Sequence, residues 1–494
     1  MIRQNPPWHF KRTNPSAQRV FVWLVLLSLL AFALRAWHLE FQSLWRDETD
    51  AIRFARSPVT ELLAHFTRPG WNGPLYFLLL RPWLALVGQT EFAARYSSLF
   101  FGVLAVPLTW VVGRRLAGRS VAAIGAALAA LSPYLVWYAQ ELKMYSLVLA
   151  LGLLSGYLYL RALDEGRWQW WLGHVAITSL LMYTHVLAVL ILLPQALWFV
   201  WGWQRCRRYW RGWLVAMAAL TLPYLPLAIW QARTLFSDFQ TGHLFYSLPH
   251  MVQILFLAFS RGVATPWEPV SRGLFLFLLL SGVVLPFQGG YRSVLQLVSW
   301  LVLPVLAVYL ISLGMPIFTD RYLVYVAPAY ALLLARGLAA IGSRWRPAQI
   351  AAAVLLVVFV LQGWWVQTTH VIKSDFRSAA RLVAEGYRPG DLIVFQIPYG
   401  RYTFEYYYPQ PFDAAEGLYT NHRDQTGYYL MDETEADRQM QALIDDRQTV
   451  WLIGTEMEMW DERHLVLRWL QTHRQQVLEQ GLARVTVWRF QLAE

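Results

Sequence analysis

Hydrophobic residues along this chain gather in long unbroken runs rather than in the stripes of a soluble fold. Runs long enough to cross a bilayer, or nearly so, fall at about 20–38, 96–112, 121–138, 144–160, 169–184, 187–204, 212–230, 272–288, 295–312, 322–340 and 348–366. Eleven spans are therefore predicted. Two further apolar stretches make poor spans. LYFLLLRPWLALVG at 75–88 carries Arg81 and Pro82 at its centre, and MVQILFLAF at 251–259 is shorter still. Counting either as a crossing would invert every later basic loop, so both are expected as helices lying in the outer interface or re-entering from it. Beyond residue 366 the pattern changes. A helix-like SDFRSAARLVAEG precedes a strand candidate at 391–396; a second strand candidate at 449–454 precedes a helix-like stretch from Asp461 to Gln480, and a strand candidate closes at 484–490. That alternation predicts a small α/β domain.

The short connectors after every second span are basic: Arg114, Arg115 and Arg119; Arg161 and Arg167; Arg205, Arg207, Arg208 and Arg211; Arg292; Arg344 and Arg346. With Arg3, Lys11, Arg12 and Arg19 ahead of the first span, the positive-inside rule puts the N-terminus in the cytoplasm. An odd number of spans then puts the C-terminal domain outside. The expected organisation is a cytoplasmic segment 1–19, a membrane part 20–366 that includes an external loop 39–94, and an extracytoplasmic domain 367–494. The first span lacks a small-residue cleavage site and is followed by further spans, so it is expected to be an anchor rather than a removable signal.

Composition sharpens this picture. The 494 residues are 57% hydrophobic and only 15% charged, where a soluble chain is about a quarter charged, and they include 26 Trp, 25 Tyr and 26 Phe. Disorder, a disulfide scaffold and an ordinary cytosolic enzyme are excluded. The single cysteine, Cys206, has no internal disulfide partner. The net charge of +11 is unevenly spread: residues 367–494 hold 13 basic against 19 acidic side chains, residues 1–366 hold 29 against 12. Basic charge here is a topology signal, and no nucleic-acid motif accompanies it.

Polar residues with chemical potential collect on the predicted outer side. The loop after the first span, HLEFQSLWRDETDAIRFARS, holds Glu40, Asp47, Glu48 and Asp50. Adjacent Asp47 and Glu48 point in different directions on any regular element, so one can face a reaction centre while the other orders the loop, holds a cation or caps the helix starting near Asp50. The third span ends in Gln140, Glu141 and Lys143. Glu141 there either pairs with Lys143 or lines a polar cavity. His185, Arg95 and the sequence TDRYLVY with Asp320, Arg321 and Tyr322 map to the same side. Arg321 opens a span from outside, where a guanidinium either binds a lipid phosphate bidentately or snorkels. In the tail, Tyr399, Tyr402, Phe404, Tyr406, Tyr407 and Tyr408 read as packing residues, or as a contact with the membrane face or an acceptor.

SLWRDETDA, WNGPLYFLLLRPWLALVG followed by EFAARYSSLFFGVLAVPL, LSPYLVWYAQELKMYSL and DRYLVYVAPAYALLLARG, in that order, resemble the GT-C membrane glycosyltransferases. The resemblance is to the family 39-like group related to protein O-mannosyltransferases and lipid A aminoarabinose transferases, and it covers nearly all of residues 18–366. It implies a polytopic α-helical fold with a polyprenyl-phosphate-linked sugar donor at the outer face of the cytoplasmic membrane. It also implies an acceptor hydroxyl on a protein, lipid or saccharide, and an inverting single displacement. Asp47 is then the expected general base, Glu48 its support and Glu141 a further acidic catalytic group. Arg321, Tyr322, Lys143, Gln140, Arg95 and His185 are the candidates for donor phosphate or substrate. Relatives carry a His-Pro-Pro-like sequence where this chain has Asn72, Gly73 and Pro74, which leaves Asn72 as a substrate-contact candidate. No obligatory cofactor is expected. A divalent cation is possible, with Asp47, Glu141 and His185 as its ligands, but their spacing is scattered. Two rival readings predict different features. A transporter or flippase for lipid-linked saccharides would show paired repeats and midplane charges. A non-catalytic binding or assembly protein would leave the external carboxylates dispensable.

Overall fold

A computed structural model describes residues 15–66, 73–225, 229, 243–263, 269–287, 290–424, 426–444 and 447–492. It divides into two compact units. One comprises Met1–Trp37, Leu63–Tyr76 and Arg95–Trp365; the other comprises His38–Leu62, Phe77–Ala94 and Val366–Glu494. Most of the external loop, expected with the membrane part, thus groups with the tail.

Among the described residues, every predicted span falls largely on helix. Six helices are long and apolar enough to cross a membrane: Ala17–Ala36, Glu91–Ala117, Tyr145–Glu165, Gly290–Ser312, Asp320–Gly342 and Arg346–Thr369. Two bent pairs bring the total to eight among the described residues, Arg119–Leu131 with Pro133–Ala139 at 54° and Val186–Trp201 with Trp203–Tyr224 at 80°. The sequence count of eleven is higher for identifiable reasons. The runs at 187–204 and 212–230 are the two arms of one bend, and those at 169–184 and 272–288 are helices of only 17 and 16 residues, Trp168–Thr184 and Pro269–Val284. The 54° break has a local cause. Pro133 has no amide to continue the helix, and Ser132 Oγ accepts the Leu135 amide at 3.3 Å to start a new one. The two poor spans are helices of 14 residues, Pro74–Val87 and Leu248–Arg261.

The membrane unit packs on small residues, as helices must where lipid is as apolar as Leu. Residues 323–340 of the Asp320–Gly342 span are all buried within protein. A Cβ on its Gly337 would stand 2.0 Å from the Leu278 carbonyl oxygen, and one on Gly282 would stand 2.1 Å from that of Leu333. Leu332 fills the space left by Gly113 and Gly125. Two arginines buried within spans end their charge on helix carbonyls. Arg35 donates to Ala130 O at 2.9 Å and Ala129 O at 3.0 Å, and Arg336 donates to Leu285 O at 3.0 Å. Each thus meets the negative end of a neighbouring helix.

The tail is a five-stranded sheet built from β1 (Leu392–Phe395), β2 (Asp413–Glu416), β3 (Thr449–Gly454), β4 (Gln475–Leu482) and β5 (Val485–Gln491). The spatial order is β2-β1-β3-β5-β4, with β2, β1 and β3 parallel and β5 antiparallel to both β3 and β4. Alternate strand residues feed two cores. Ile393, Phe395, Trp451 and Ile453 pack with Phe376, Val383 and Phe404 on one face; Leu392, Val394, Val450 and Leu452 pack with Met440, Ile444, Val466 and Trp469 on the other. The expected α/β domain is therefore present, with one correction. The helix predicted to reach Gln480 stops at His473, and residues 475–482 form β4 instead. Hairpin pairing with β5 across a turn at Arg484 (φ +55°) outweighs the helix propensity of Gln475, Gln476 and Glu479.

Candidate active site

In the unit that holds the tail, Trp45 is extended and ends the loop, so the helix Arg46–Arg56 begins with Asp47 and Glu48 in its first turn, where carboxylates meet the positive end of the helix dipole. The Glu48 carboxylate accepts the Trp45 amide at 3.4 Å, as in a capping box, and is fully buried against Lys373 Nζ at 2.9 Å. Asp47 remains half-buried beside it. Glu48 is thus the buried member of the pair, tied to its own helix start and to Lys373. Asp50 forms a 3.7 Å pair with Arg46.

The aromatic run of the tail holds this helix within the same unit. Arg46 stacks over Tyr399 at 3.5 Å and Arg53 over Tyr402 at 3.8 Å, while Thr403 Oγ1 lies 3.1 Å from Thr49 Oγ1. Tyr407 Oη accepts the Leu44 amide at 2.6 Å and donates to Glu91; burial, and then the Glu91 charge, push its phenol well above the usual tyrosine range. Phe404 and Tyr408 belong to the domain core. These aromatics are packing residues that grip the loop carrying Asp47.

The membrane unit gathers a second polar cluster. The Pro133–Ala139 helix ends at Gln140, and a turn through Glu141 and Lys143 leads into the helix starting at Tyr145. Asp320 is fixed at that end by two tyrosines: Tyr138 Oη donates to its carboxylate at 2.8 Å and Tyr134 Oη to its carbonyl at 2.9 Å. Arg321 lies 5.7 Å over the Tyr145 ring. The His185 ring is 4.8 Å from Tyr322 and 6.5 Å from Tyr145, and Arg321 and Lys143 are close enough to act on its charge. His185 is 2% exposed, and neither ring nitrogen has a hydrogen-bond partner among the described residues. Tyr322 Oη meets His243 Nε2 at 3.4 Å, and Glu141 is 1% exposed. Lys143, His185, Arg321 and Tyr322, scattered over about 180 residues of sequence, are thus brought together, with Glu141 in the turn that carries Lys143.

Other candidates are placed differently. Gln140 turns away and donates to Arg35 O at 3.0 Å and Trp37 O at 2.8 Å, closing the C-terminus of the first helix. Arg95 is fully buried near the start of the Glu91–Ala117 helix. Asn72 lies outside the described residues. Its neighbour Gly73 (φ +86°) lies so close to Thr184 that a Cβ would be 2.8 Å from that carbonyl oxygen. Among the described residues, no three His, Cys, Asp or Glu side chains gather as a metal site.

Asp320 and Lys373 were not among the candidates. Lys373 carried a signal, because the chain has only three lysines, Lys11, Lys143 and Lys373, against many arginines. Asp320 was visible only as the neighbour of Arg321.

The Dolichyl-phosphate-mannose-protein mannosyltransferase family matches residues 68–230. No curated protein matches the chain by sequence. The fold is similar to that of ArnT from Cupriavidus metallidurans, solved both in the apo state and bound to undecaprenyl phosphate. The TM-score is 0.56 at 14% identity, over 96% of this chain and 98% of ArnT. It is also similar to that of the archaeal oligosaccharyltransferase AglB from Archaeoglobus fulgidus in complex with an inhibitory peptide and a dolichol-phosphate. There the TM-score is 0.56 at 12% identity, over 96% of this chain and 74% of AglB. The family match covers about a third of the chain, and the fold as a whole is similar to those of ArnT and AglB.

Proposed function

We propose that this GT-C glycosyltransferase moves a sugar from a polyprenyl-phosphate donor to an acceptor hydroxyl at the outer face of the cytoplasmic membrane. The observation that carries the reading is the convergence of Lys143, Arg321 and His185 inside a bundle with the fold of a protein solved with undecaprenyl phosphate. A cationic, water-poor cluster of that kind suits a leaving phosphate whose charge grows as the glycosidic bond breaks. In the proposed displacement the acceptor oxygen bonds to the anomeric carbon as the bond from that carbon to the phosphate oxygen breaks. The hydroxyl proton passes to Asp47, and the configuration inverts. Glu48, held by Lys373, keeps the helix turn that presents Asp47. Arg321 and Lys143 receive the phosphate, with Tyr322 and His185 offering hydrogen bonds to phosphate or sugar. These two cations supply charge where a metal otherwise would, so no obligatory metal is part of the proposal. The acceptor is a hydroxyl of a protein, lipid or saccharide.

The test is transfer from a synthetic short-chain polyprenyl-phosphate sugar by the purified full-length protein, with donor binding measured on the same samples. Asp47→Asn is expected to bind donor normally and to transfer about 10²-fold more slowly or worse, the scale of a positioned general base. Wild-type transfer by Asp47→Asn together with an inactive Glu141→Gln would move the base to Glu141.

A further inference from the structure

The connector between the two arms of the 80° bend carries Arg205, Arg207, Arg208 and Arg211. Three arginines of neighbouring connectors meet acids: Arg115 meets Asp164 at 2.7 Å, and Arg161 and Arg167 meet Glu165 at 2.5 and 4.0 Å. Among the described residues these four arginines make no ion pair and no side-chain hydrogen bond. Arg208 and Arg211 lie only against the rings of Tyr209 and Trp210, at 4.6 and 5.6 Å. A fifth guanidinium joins them, because Arg292 Nη2 stands 3.1 Å from where a Cβ on Gly202 would be.

The connector has a defined shape. Tyr209 packs its ring onto Gly166 (φ +67°), in the space a Cβ would occupy, which pins the segment against the turn between two spans. Beside it, Trp203, Arg207, Arg208 and Trp210 line an open groove of about 510 Å³. Both tryptophans are about half exposed, at 48% and 46%. The adjoining helices present exposed apolar side chains, Val200, Leu214 and Val215 among them. An orientation signal requires charge in a loop but no groove and no bracketing indoles. We propose that this groove binds the anionic headgroup of a glycerophospholipid. Its phosphate lies between the Arg207 and Arg208 guanidiniums, Trp203 and Trp210 sit at the headgroup boundary, and the acyl chains run along the exposed helix faces. A basic open groove at the bend, flanked by apolar helix faces, fits a lipid better than a free anion, because only a lipid uses both parts.

Native mass spectrometry of the full chain, released from micelles doped with equal amounts of phosphatidylglycerol and phosphatidylcholine, tests this without recourse to activity. The wild type is expected to retain phosphatidylglycerol preferentially. Arg207→Gln/Arg208→Gln should weaken that retention roughly tenfold or more, the scale for two arginines near an anionic headgroup. Arg114→Gln/Arg119→Gln, which removes equal charge from another connector, should leave it unchanged. If the first pair does not yield monodisperse protein, Trp203→Leu/Trp210→Leu keeps the charge and should still reduce retention several-fold. Equal retention of the two lipids, an equal loss in the Arg114/Arg119 variant, or displacement of the lipid by millimolar glycerol phosphate would each overturn the proposal.

Discussion

Lys373→Met isolates the carboxylate on which the Asp47 turn rests. Glu48 and Lys373 meet at 2.9 Å with side-chain exposures of 0% and 7%. At the effective dielectric that describes protein interiors, about 20, two unit charges at that separation attract by roughly 6 kcal/mol. Desolvating both ions offsets most of that, so the pair contributes little compared with two apolar residues of the same size. Removing one partner is different, because the other charge stays buried. Lys373→Met should therefore destabilise by about 3–5 kcal/mol, and in a unit of this size that lowers the melting temperature by roughly 10 °C. The double variant Glu48→Gln/Lys373→Met should recover most of the loss, since neither charge remains. Thermal unfolding in detergent, followed by tryptophan fluorescence and by proteolysis of the tail, reads both numbers. Transfer should fall with the single variant, because Asp47 precedes Glu48 in the same helical turn. A Lys373→Met protein that melts with the wild type, or a double variant no more stable than the single, would refute the buried-pair argument.

Arg321→Ala should weaken donor binding by about 1.5–3 kcal/mol, the value of a charged hydrogen bond, with melting unchanged; unaltered donor binding in calorimetry would mean that the side chain only snorkels. Gly73→Ala forces a left-handed backbone and a Cβ 2.8 Å from Thr184 O, so expression and thermal stability should drop by about 2 kcal/mol or more. Asp461 is buried and accepts the Leu465 and Val466 amides at 3.0 Å each, so Asp461→Ala should destabilise the tail by about 3 kcal/mol while donor binding persists. For topology, a membrane-impermeant thiol reagent on intact cells should modify Tyr428→Cys and spare Arg208→Cys. The native Cys206 is 3% exposed and would stay protected on either side, so it cannot report the orientation.

What was legible in the sequence was what local pattern encodes. Apolar runs located each of the long apolar helices among the described residues, because a span must carry its own hydrophobicity residue by residue. Counting crossings from them was harder, since a bend at Gly202 or at Pro133 changes direction without interrupting the run. In the tail, the buried strands β1 and β3 announced themselves as LIVF and TVWLIG. β2 reads DAAE and β4 reads QQVLEQGL; both lie at sheet edges and owe their conformation to their partners. The same division holds at the site. Asp47 and Glu48 were found from their position, yet the identity of the ordering residue came from Lys373, 325 residues away. Gln140, a good substrate candidate by location, turned out to close a helix end. His185, Arg321 and Lys143 converge only through tertiary packing, and no spacing rule links them.

The protein-wrapped span Asp320–Gly342 has a consequence for biosynthesis. Its glycine contacts with the Pro269–Val284 helix, its Leu332 seat on Gly113 and Gly125, and the carbonyl that receives Arg336 all belong to segments made earlier in translation. When the span leaves the ribosome, its sockets are already in the membrane. Before then, those sockets face lipid as a notch with open backbone carbonyls. A chain stopped short of residue 320 should expose that notch and be a preferred target for membrane quality control. Chains extended by only the next 23 residues, through Gly342, should escape it, making this one span the keystone that closes the notch before the last span, Arg346–Thr369, is made.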